Sequence, residues 1–116
     1  MYKHFRLEEF NCTHTNANFM DEAFLTRLDM LRDEVGFPFR ITSGYRDISH
    51  PSERHKSNGG GTHTQGIAAD IAVSNGVERM TIVKKALEMG FTGIGLASSF
   101  VHVDMRTTTP VMWTYG

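Results

Sequence analysis

Apolar residues recur at helical spacing in two segments of the chain. In residues 19–35 they follow steps of four and three and line one helical face: Met20, Phe24, Leu28, Leu31 and Val35. Asn18 precedes this segment as its predicted N-cap, and Gly36 ends it. A second amphipathic segment, residues 77–89, ends at Gly90. The pattern therefore predicts two main helices.

Four other segments have the short apolar runs or the alternation of β-strands: residues 39–42, 68–73, 93–96 and 100–105. The last segment alternates strictly, with apolar Val101 and Val103 on one face. His102 and Asp104 are on the opposite face. Polar groups in such a position face either solvent or a functional site, since an unpaired buried charge is costly.

The order of these elements indicates the fold class. It runs helix, strand, loop, strand, helix, strand, strand, and hairpin-like spacing separates the last two strands. We therefore expect an α+β fold in which a small antiparallel sheet packs with two main helices, rather than a doubly wound parallel sheet. Residues 47–62 are a polar loop with three consecutive glycines, and loops of this length are more often functional than idle.

Length and charge limit the class of protein. A chain of 116 residues has room for one domain, which we expect to span residues 1–116. The formal net charge of -1 provides no basic surface for nucleic acid, and no stretch of about 18 apolar residues is present to span a membrane. The first residues lack the apolar region of a secretory signal, so we expect synthesis in the cytoplasm and no membrane partner.

The cysteine count excludes several kinds of site. Cys12 is the only cysteine, so the chain has no disulfide framework and no multi-thiolate metal centre. Cys12 as a catalytic thiol is the alternative to the simpler interpretation, a buried thiol. A domain this small without a disulfide relies on its core or on a metal, and the six histidines make a metal worth looking for.

Three residues are candidate metal ligands. His63 follows the glycine loop, and Asp70 lies inside the apolar strand 68–73, where a carboxylate needs a partner. Together with His102 they offer one carboxylate and two imidazoles, the ligand set of an open zinc site with a fourth position for water. In the alternative interpretation, the face that carries His102 is solvated and binds nothing.

A second candidate for chemistry is Arg46. Residues 41–46, ITSGYR, end a predicted strand with a tight turn and present an aromatic ring and a guanidinium. A guanidinium can donate two parallel hydrogen bonds to a carboxylate or stabilise an oxyanion. A surface salt bridge is the alternative role for Arg46.

The order of three motifs, SGYR, then HTQGIAAD, then GIG with FVHVD, resembles that of the zinc D-alanyl-D-alanine carboxypeptidases and related phage endolysin peptidases. The resemblance covers nearly the whole chain, and it implies the metallopeptidase fold that these enzymes share with the signalling domain of hedgehog proteins. It also implies that His63, Asp70 and His102 bind one Zn²⁺ ion. Arg46 then clamps the carboxylate or carbonyl oxygen of the substrate.

The chain departs from this family at the general base. Many relatives have an acid three residues before the last ligand, where this chain has Ser99, and serine cannot act as the base. Asp104, on the same strand face as His102, is the nearest carboxylate and our predicted catalytic base. Gly61 replaces a serine of many relatives, which we expect to affect the packing of the loop more than the chemistry.

The resemblance implies a substrate class, the stem peptides of peptidoglycan. Two bonds remain open: a D-Ala-D-Ala bond or D-Ala cross-link, and the L-Ala-D-Glu bond. We expect a monomer that acts at the bacterial cell wall in lysis or remodelling, encoded by a phage or by a bacterium. The alternative is a binding module of the same fold, in which the metal stabilises the protein and no turnover occurs.

Overall fold

A computed structural model describes residues 2–53, 56 and 61–115 of the chain. A short 3-10 helix at Leu7–Phe10 precedes the main elements. The helices and strands are α1 (Glu22–Val35), β1 (Ile41–Ser43), β2 (Ala68–Ala72), α2 (Gly76–Glu88), β3 (Gly93–Leu96), β4 (Phe100–Asp104) and β5 (Val111–Thr114). Among the described residues, no helix is both long enough and apolar enough to cross a bilayer.

Both predicted helices are present, but α1 begins later than its apolar pattern suggested. The N-cap is Asp21, whose carboxylate accepts a hydrogen bond from the Phe24 backbone N–H at 2.8 Å. The predicted cap was therefore wrong: the Asn18 side chain bonds the backbone of Leu7 and Met20 outside the helix. Gly36 ends the helix as predicted, with a φ of 87° that favours glycine.

The strands form one mixed sheet in the order β1-β2-β4-β3-β5. The first four strands pair antiparallel, as expected. The fifth strand pairs parallel with β3 and was not predicted, because its residues at the sheet edge are mostly exposed and carry no clear alternation. The α+β class is confirmed. The expectation of a purely antiparallel sheet was wrong, because β5 pairs parallel with β3 and makes the sheet mixed.

The core fills one face of this sheet. The buried side chains of α1 and α2 pack there against alternate strand residues: Leu28, Leu31, Ile82, Ala86, Ala69, Ile71, Val101 and Val103. Val101 and Val103 thus face the core as their alternation predicted. Because successive strand residues point to opposite faces, Asp70, His102 and Asp104 are directed to the other side.

The long polar loop is described in part. Residues 48–53 form turns, Lys56 is described, and the chain is described again from Gly61. Of the two histidines in this loop, His55 lies outside the described residues. His50 contacts Thr13 through its ring nitrogen and packs near His14.

Candidate metal centre

The sheet register brings the three predicted ligands together. Asp70 of β2 and His102 of β4 are directly paired residues on neighbouring strands. His63 lies in the turn that leads into β2, and its ring centroid is 5.0 Å from that of His102. Each of the three offers a ligand atom within 4.8 Å of the others, and each side chain is buried. The group could therefore hold a metal ion.

One atom of each residue points into the shared space. Asp70 Oδ1 is 3.0 Å from His102 Nδ1 and 3.3 Å from His63 Nε2. These two nitrogens and one oxygen are the atoms that a single ion would bind. Neutral imidazole and carboxylate are the donor set of three-ligand zinc sites, which keep a fourth position open.

The remaining ring nitrogens are occupied by oxygen acceptors. His63 Nδ1 lies 2.7 Å from the carbonyl oxygen of Gly44, and His102 Nε2 lies 2.7 Å from Asp104 Oδ2. A carbonyl or carboxylate oxygen only accepts, so we assign the proton of each neutral ring to these outer nitrogens. The lone pairs then face inward, as metal binding requires.

The charge of Asp70 suits the same role. Burial alone would raise the pKa of Asp70, but while the two rings are protonated, hydrogen bonds from His102 and His63 and their charges hold it well below its usual range. Its second oxygen, Oδ2, is 3.5 Å from Nη2 of Arg46. Asp70 is therefore an ionised carboxylate with one oxygen available to a cation and the other beside a guanidinium.

Arg46 is held at the edge of this group by three residues. Its Nε donates to Ser43 Oγ at 3.0 Å, Nη1 donates to Glu53 Oε2 at 2.8 Å, and Nη2 faces Asp70. A guanidinium has five N–H donors, so three such contacts leave two for a ligand. Arg46 also lines the cleft, and its predicted role as a substrate clamp stays a prediction.

Sequence reasoning missed Glu53, which is fully buried behind Arg46. Burial would raise its pKa, but Arg46, the Gly61 backbone N–H and Lys56 outweigh this and lower the pKa of Glu53 to about 2. Glu53 therefore ties the described part of the polar loop to the site. No periodic pattern in the sequence indicates that Glu53 is buried, because its partners are determined by the path of the loop.

Asp104 lies behind His102, on the side away from Asp70 and His63. Burial would raise the pKa of Asp104, but hydrogen bonds from His102 and Arg106 hold it well below its usual range. Burial would lower the pKa of His102, but its hydrogen bonds to Asp104 and Asp70 outweigh this and raise it. Asp104 as general base stays a prediction, and its contacts do not favour that role.

The ligand atoms open into a cleft of about 820 Å³. One wall is aromatic. Trp113 lies on β5 and Tyr115 directly follows this strand, and the Arg106 guanidinium lies 4.9 Å from the centre of the Trp113 ring. Gly95 of β3 makes room for this wall, because a Cβ there would lie 2.8 Å from Tyr115 and 2.9 Å from Trp113. Both aromatic side chains line the cleft.

A family model described as Peptidase M15 matches residues 3–104. The chain belongs to the peptidase M15 family. The match includes His63, Asp70, His102 and Arg46, and it confirms the family that the motif order resembles. No curated protein matches the chain.

Membership makes this M15 chain a peptidase of a metallopeptidase family, and its fold agrees with the hedgehog-like fold expected for that family. The match ends at Asp104, so the aromatic wall from β5 lies beyond the matched residues. The ligand group thus lies within the residues that match the family model, and the wall does not.

Proposed function

We propose that this M15 peptidase is zinc-dependent and cleaves peptidoglycan stem peptides. The observation that carries the proposal is the convergence of His63 Nε2, Asp70 Oδ1 and His102 Nδ1, with both outer ring nitrogens bound to oxygen. Such outer contacts fix the tautomer and orientation of metal-binding histidines.

The residues of the chain have separate tasks in this proposal. His63, Asp70 and His102 would hold the ion, which when bound supplies a Lewis acid that polarises a carbonyl and makes water more acidic. The two remaining N–H groups of Arg46 would hold a substrate carboxylate or stabilise the oxygen that becomes negative during cleavage. The buried Glu53 keeps that guanidinium in place.

The charge of the cleft supports a carboxylate-rich peptide as substrate. Arg46, Lys56 and Arg106 all line it, while Asp70 is the only carboxylate among its described lining residues. Stem peptides carry several carboxylates, so their charge is complementary to this surface. The substrate implies action at the bacterial cell wall, and we propose that the protein acts there as a monomer without nucleic acid or membrane partners.

Metal analysis and digestion of purified sacculi test the proposal together. We expect the wild-type protein to carry about one zinc ion per chain and to release peptide fragments whose new ends are identified by mass spectrometry. New D-Ala ends indicate cleavage at D-Ala, and new L-Ala ends indicate the L-Ala-D-Glu bond. The control is His63→Ala, which we expect to lose both zinc and activity. Protein that binds no added zinc contradicts the proposal.

A binding module remains the second candidate. Two observations favour it: Ser99 stands where many relatives have an acid, and the Asp104 carboxylate contacts the outer nitrogen of His102. A wild-type protein that binds zinc and stem peptides but releases no fragments supports this candidate over the enzyme.

A further inference from the structure

We infer that Asp104 is a positioning residue which fixes the ring of His102 for metal binding, rather than the base that takes a proton from water. The inference rests on the zinc site of the proposed function. It assigns to Asp104 the task of holding a proton on Nε2 of His102, so that Nδ1 presents its lone pair beside Asp70.

The geometry of the imidazole carries the first step. Asp104 Oδ2 is 2.7 Å from His102 Nε2, and Asp70 Oδ1 is 3.0 Å from His102 Nδ1. The two nitrogens of an imidazole point in diverging directions, so groups bound to them lie on different sides of the ring. A carboxylate at Nε2 is separated by the ring from any ligand that Nδ1 binds.

The surroundings of Asp104 carry the second step, because both of its oxygens are occupied. Arg106 donates to Oδ1 from its backbone N–H and from Nε, each at 3.0 Å, and to Oδ2 from Nη2 at 2.6 Å. Thr62 Oγ1 lies 3.4 Å from Oδ2. The Asp104 side chain is fully buried, so a turn toward the reacting atoms would break several charge-assisted hydrogen bonds.

The neighbouring strand is shaped around this carboxylate. Gly93 of β3 pairs with Asp104, and a Cβ at that position would overlap the carboxylate group. The space that Gly93 leaves is therefore filled by Asp104. Residues of both strands thus hold the Asp104 side chain in one position. A fixed position suits a group that orients the His102 ring.

The two predicted histidine ligands make the same kind of contact in different ways. His63 is fixed by the Gly44 backbone carbonyl at 2.7 Å, and His102 is fixed by a carboxylate. A carboxylate at the outer nitrogen makes the imidazole a stronger donor to a metal, and loss of such a partner typically lowers metal affinity or activity about 10–100-fold.

Substitution of Asp104 by asparagine separates positioning from base catalysis. Asp104→Asn keeps the size of the side chain and an oxygen acceptor but removes the charge. We expect zinc affinity, measured by competition with a chelator, to fall about 10–100-fold, and the visible spectrum of the cobalt-substituted protein to shift. A general base predicts a different result: unchanged zinc affinity and spectrum, with turnover about 10²–10⁴-fold lower at saturating zinc.

The matched control is Asp33→Asn, which removes an exposed carboxylate that pairs with Lys3 far from the site. Its zinc affinity and cobalt spectrum should equal those of the wild type. Equal zinc affinity in Asp104→Asn and Asp33→Asn overturns the inference while the zinc peptidase stands. Wild-type protein that binds zinc and cleaves nothing contradicts the proposed enzyme, and the affinity comparison still decides the role of Asp104.

Nitrogen NMR of the wild-type protein tests the tautomer of His102 directly. It does not depend on whether a substituted protein folds. In the zinc-loaded protein we expect the proton of His102 on Nε2 and that of His63 on Nδ1. A His102 ring that binds zinc through Nε2, with its proton on Nδ1, overturns the inference. Wild-type protein that takes up no zinc overturns both the inference and the function on which it rests.

Discussion

At the residue scale, the described part of the chain buries five ionisable side chains in and beside the candidate site: Glu53, His63, Asp70, His102 and Asp104. An ionised group buried without a partner is costly, and each of these five has at least one hydrogen-bonded or oppositely charged partner. Because these pairs share members, a substitution at one position changes the environment of the next.

Arg46 provides a direct test of the clamp. We expect Arg46→Ala to lower kcat/KM on a stem peptide roughly 10²–10³-fold at saturating zinc, since donors to the developing negative oxygen are lost. Arg46→Lys, which keeps the charge without the planar fork, should recover only part of the activity. Zinc content of each variant is measured alongside, and an unchanged kcat/KM in Arg46→Ala refutes the clamp.

Glu53 gives a pH-dependent prediction. Because its pKa falls from 4.5 to about 2 on folding, Glu53 stabilises the fold fully above about pH 4.5 and loses this contribution as the pH falls toward 2. We expect Glu53→Gln to lower the free energy of unfolding by about 2 kcal/mol at pH 7, since charge-assisted hydrogen bonds to Arg46 and Lys56 are lost.

Urea denaturation at pH 7 and pH 3 measures this effect. The difference between the wild type and Glu53→Gln should shrink at the lower pH, where the wild-type carboxylate begins to take up a proton. Glu34→Gln, at an exposed position of α1, is the control and should differ little from the wild type at either pH. A difference that is the same at both values contradicts the prediction.

At the scale of elements, the sequence predicted what periodicity can report. The steps of three and four gave α1 and α2, and the alternation of β4 put Val101 and Val103 on the core face. Periodicity did not decide whether the opposite face is solvated. His102 and Asp104 are buried there, under contacts with residues distant in the chain.

The remaining differences at this scale have tertiary causes. Asn18 and Asp21 are both good N-caps, and the position of the helix start is fixed by contacts of the preceding segment, such as the Asp21 backbone N–H to Gly66. The strand β5 depends on its parallel pairing with β3, which leaves no local pattern. The ligand set followed from the order of motifs, whereas Glu53 has partners that no local pattern specifies.

The two glycines of β3 leave space for different parts of the site: Gly93 for the Asp104 carboxylate and Gly95 for the aromatic wall. A substitution at Gly95 therefore tests the role of the wall. We expect Gly95→Ala to push Trp113 and Tyr115 from their positions, since its Cβ would lie under 3 Å from both rings. Stability should fall by about 1–3 kcal/mol and KM should rise, and zinc affinity should fall as well because the displaced Trp113 ring packs 5.0 Å from that of His102. Thermal unfolding, zinc titration and steady-state kinetics measure the three quantities.

The control for this substitution is Gly76→Ala in the first turn of α2, where a Cβ would meet only Arg79 Nη1 at 3.8 Å. Alanine there should be neutral or slightly stabilising. If Gly95→Ala leaves KM at the wild-type value, the wall formed by Trp113 and Tyr115 has no part in binding the substrate.

At the scale of the whole molecule, the sheet separates structure from chemistry. One face packs against the helices, and the other carries the ligand group, which connects β2, β4 and the turn at His63. The chain has no disulfide to restrict its unfolded state, since Cys12 is its only cysteine. A bound ion would therefore be the main additional link between these elements.

Removal of the metal should lower stability as well as activity. A ligand at about 100 times its Kd stabilises a folded protein by about 2.7 kcal/mol, which for a chain of this size raises Tm by about 10 °C. We expect chelation to lower the Tm of the wild type by about this much and added zinc to restore it. His63→Ala, the control, should show no response, and a wild-type Tm insensitive to both treatments contradicts the zinc site.

The parallel edge strand β5 has a consequence for how this enzyme can change over time. The candidate ligand atoms come from β2, β4 and the turn at His63, while the aromatic wall comes from an outer strand whose backbone pairs with the sheet through β3. We expect mutations in that outer strand away from Trp113, whose ring centroid is 5.0 Å from that of His102, to alter which peptides are accepted while the ligand group is kept. Selection could therefore change substrate specificity through this strand while the ligand group is kept.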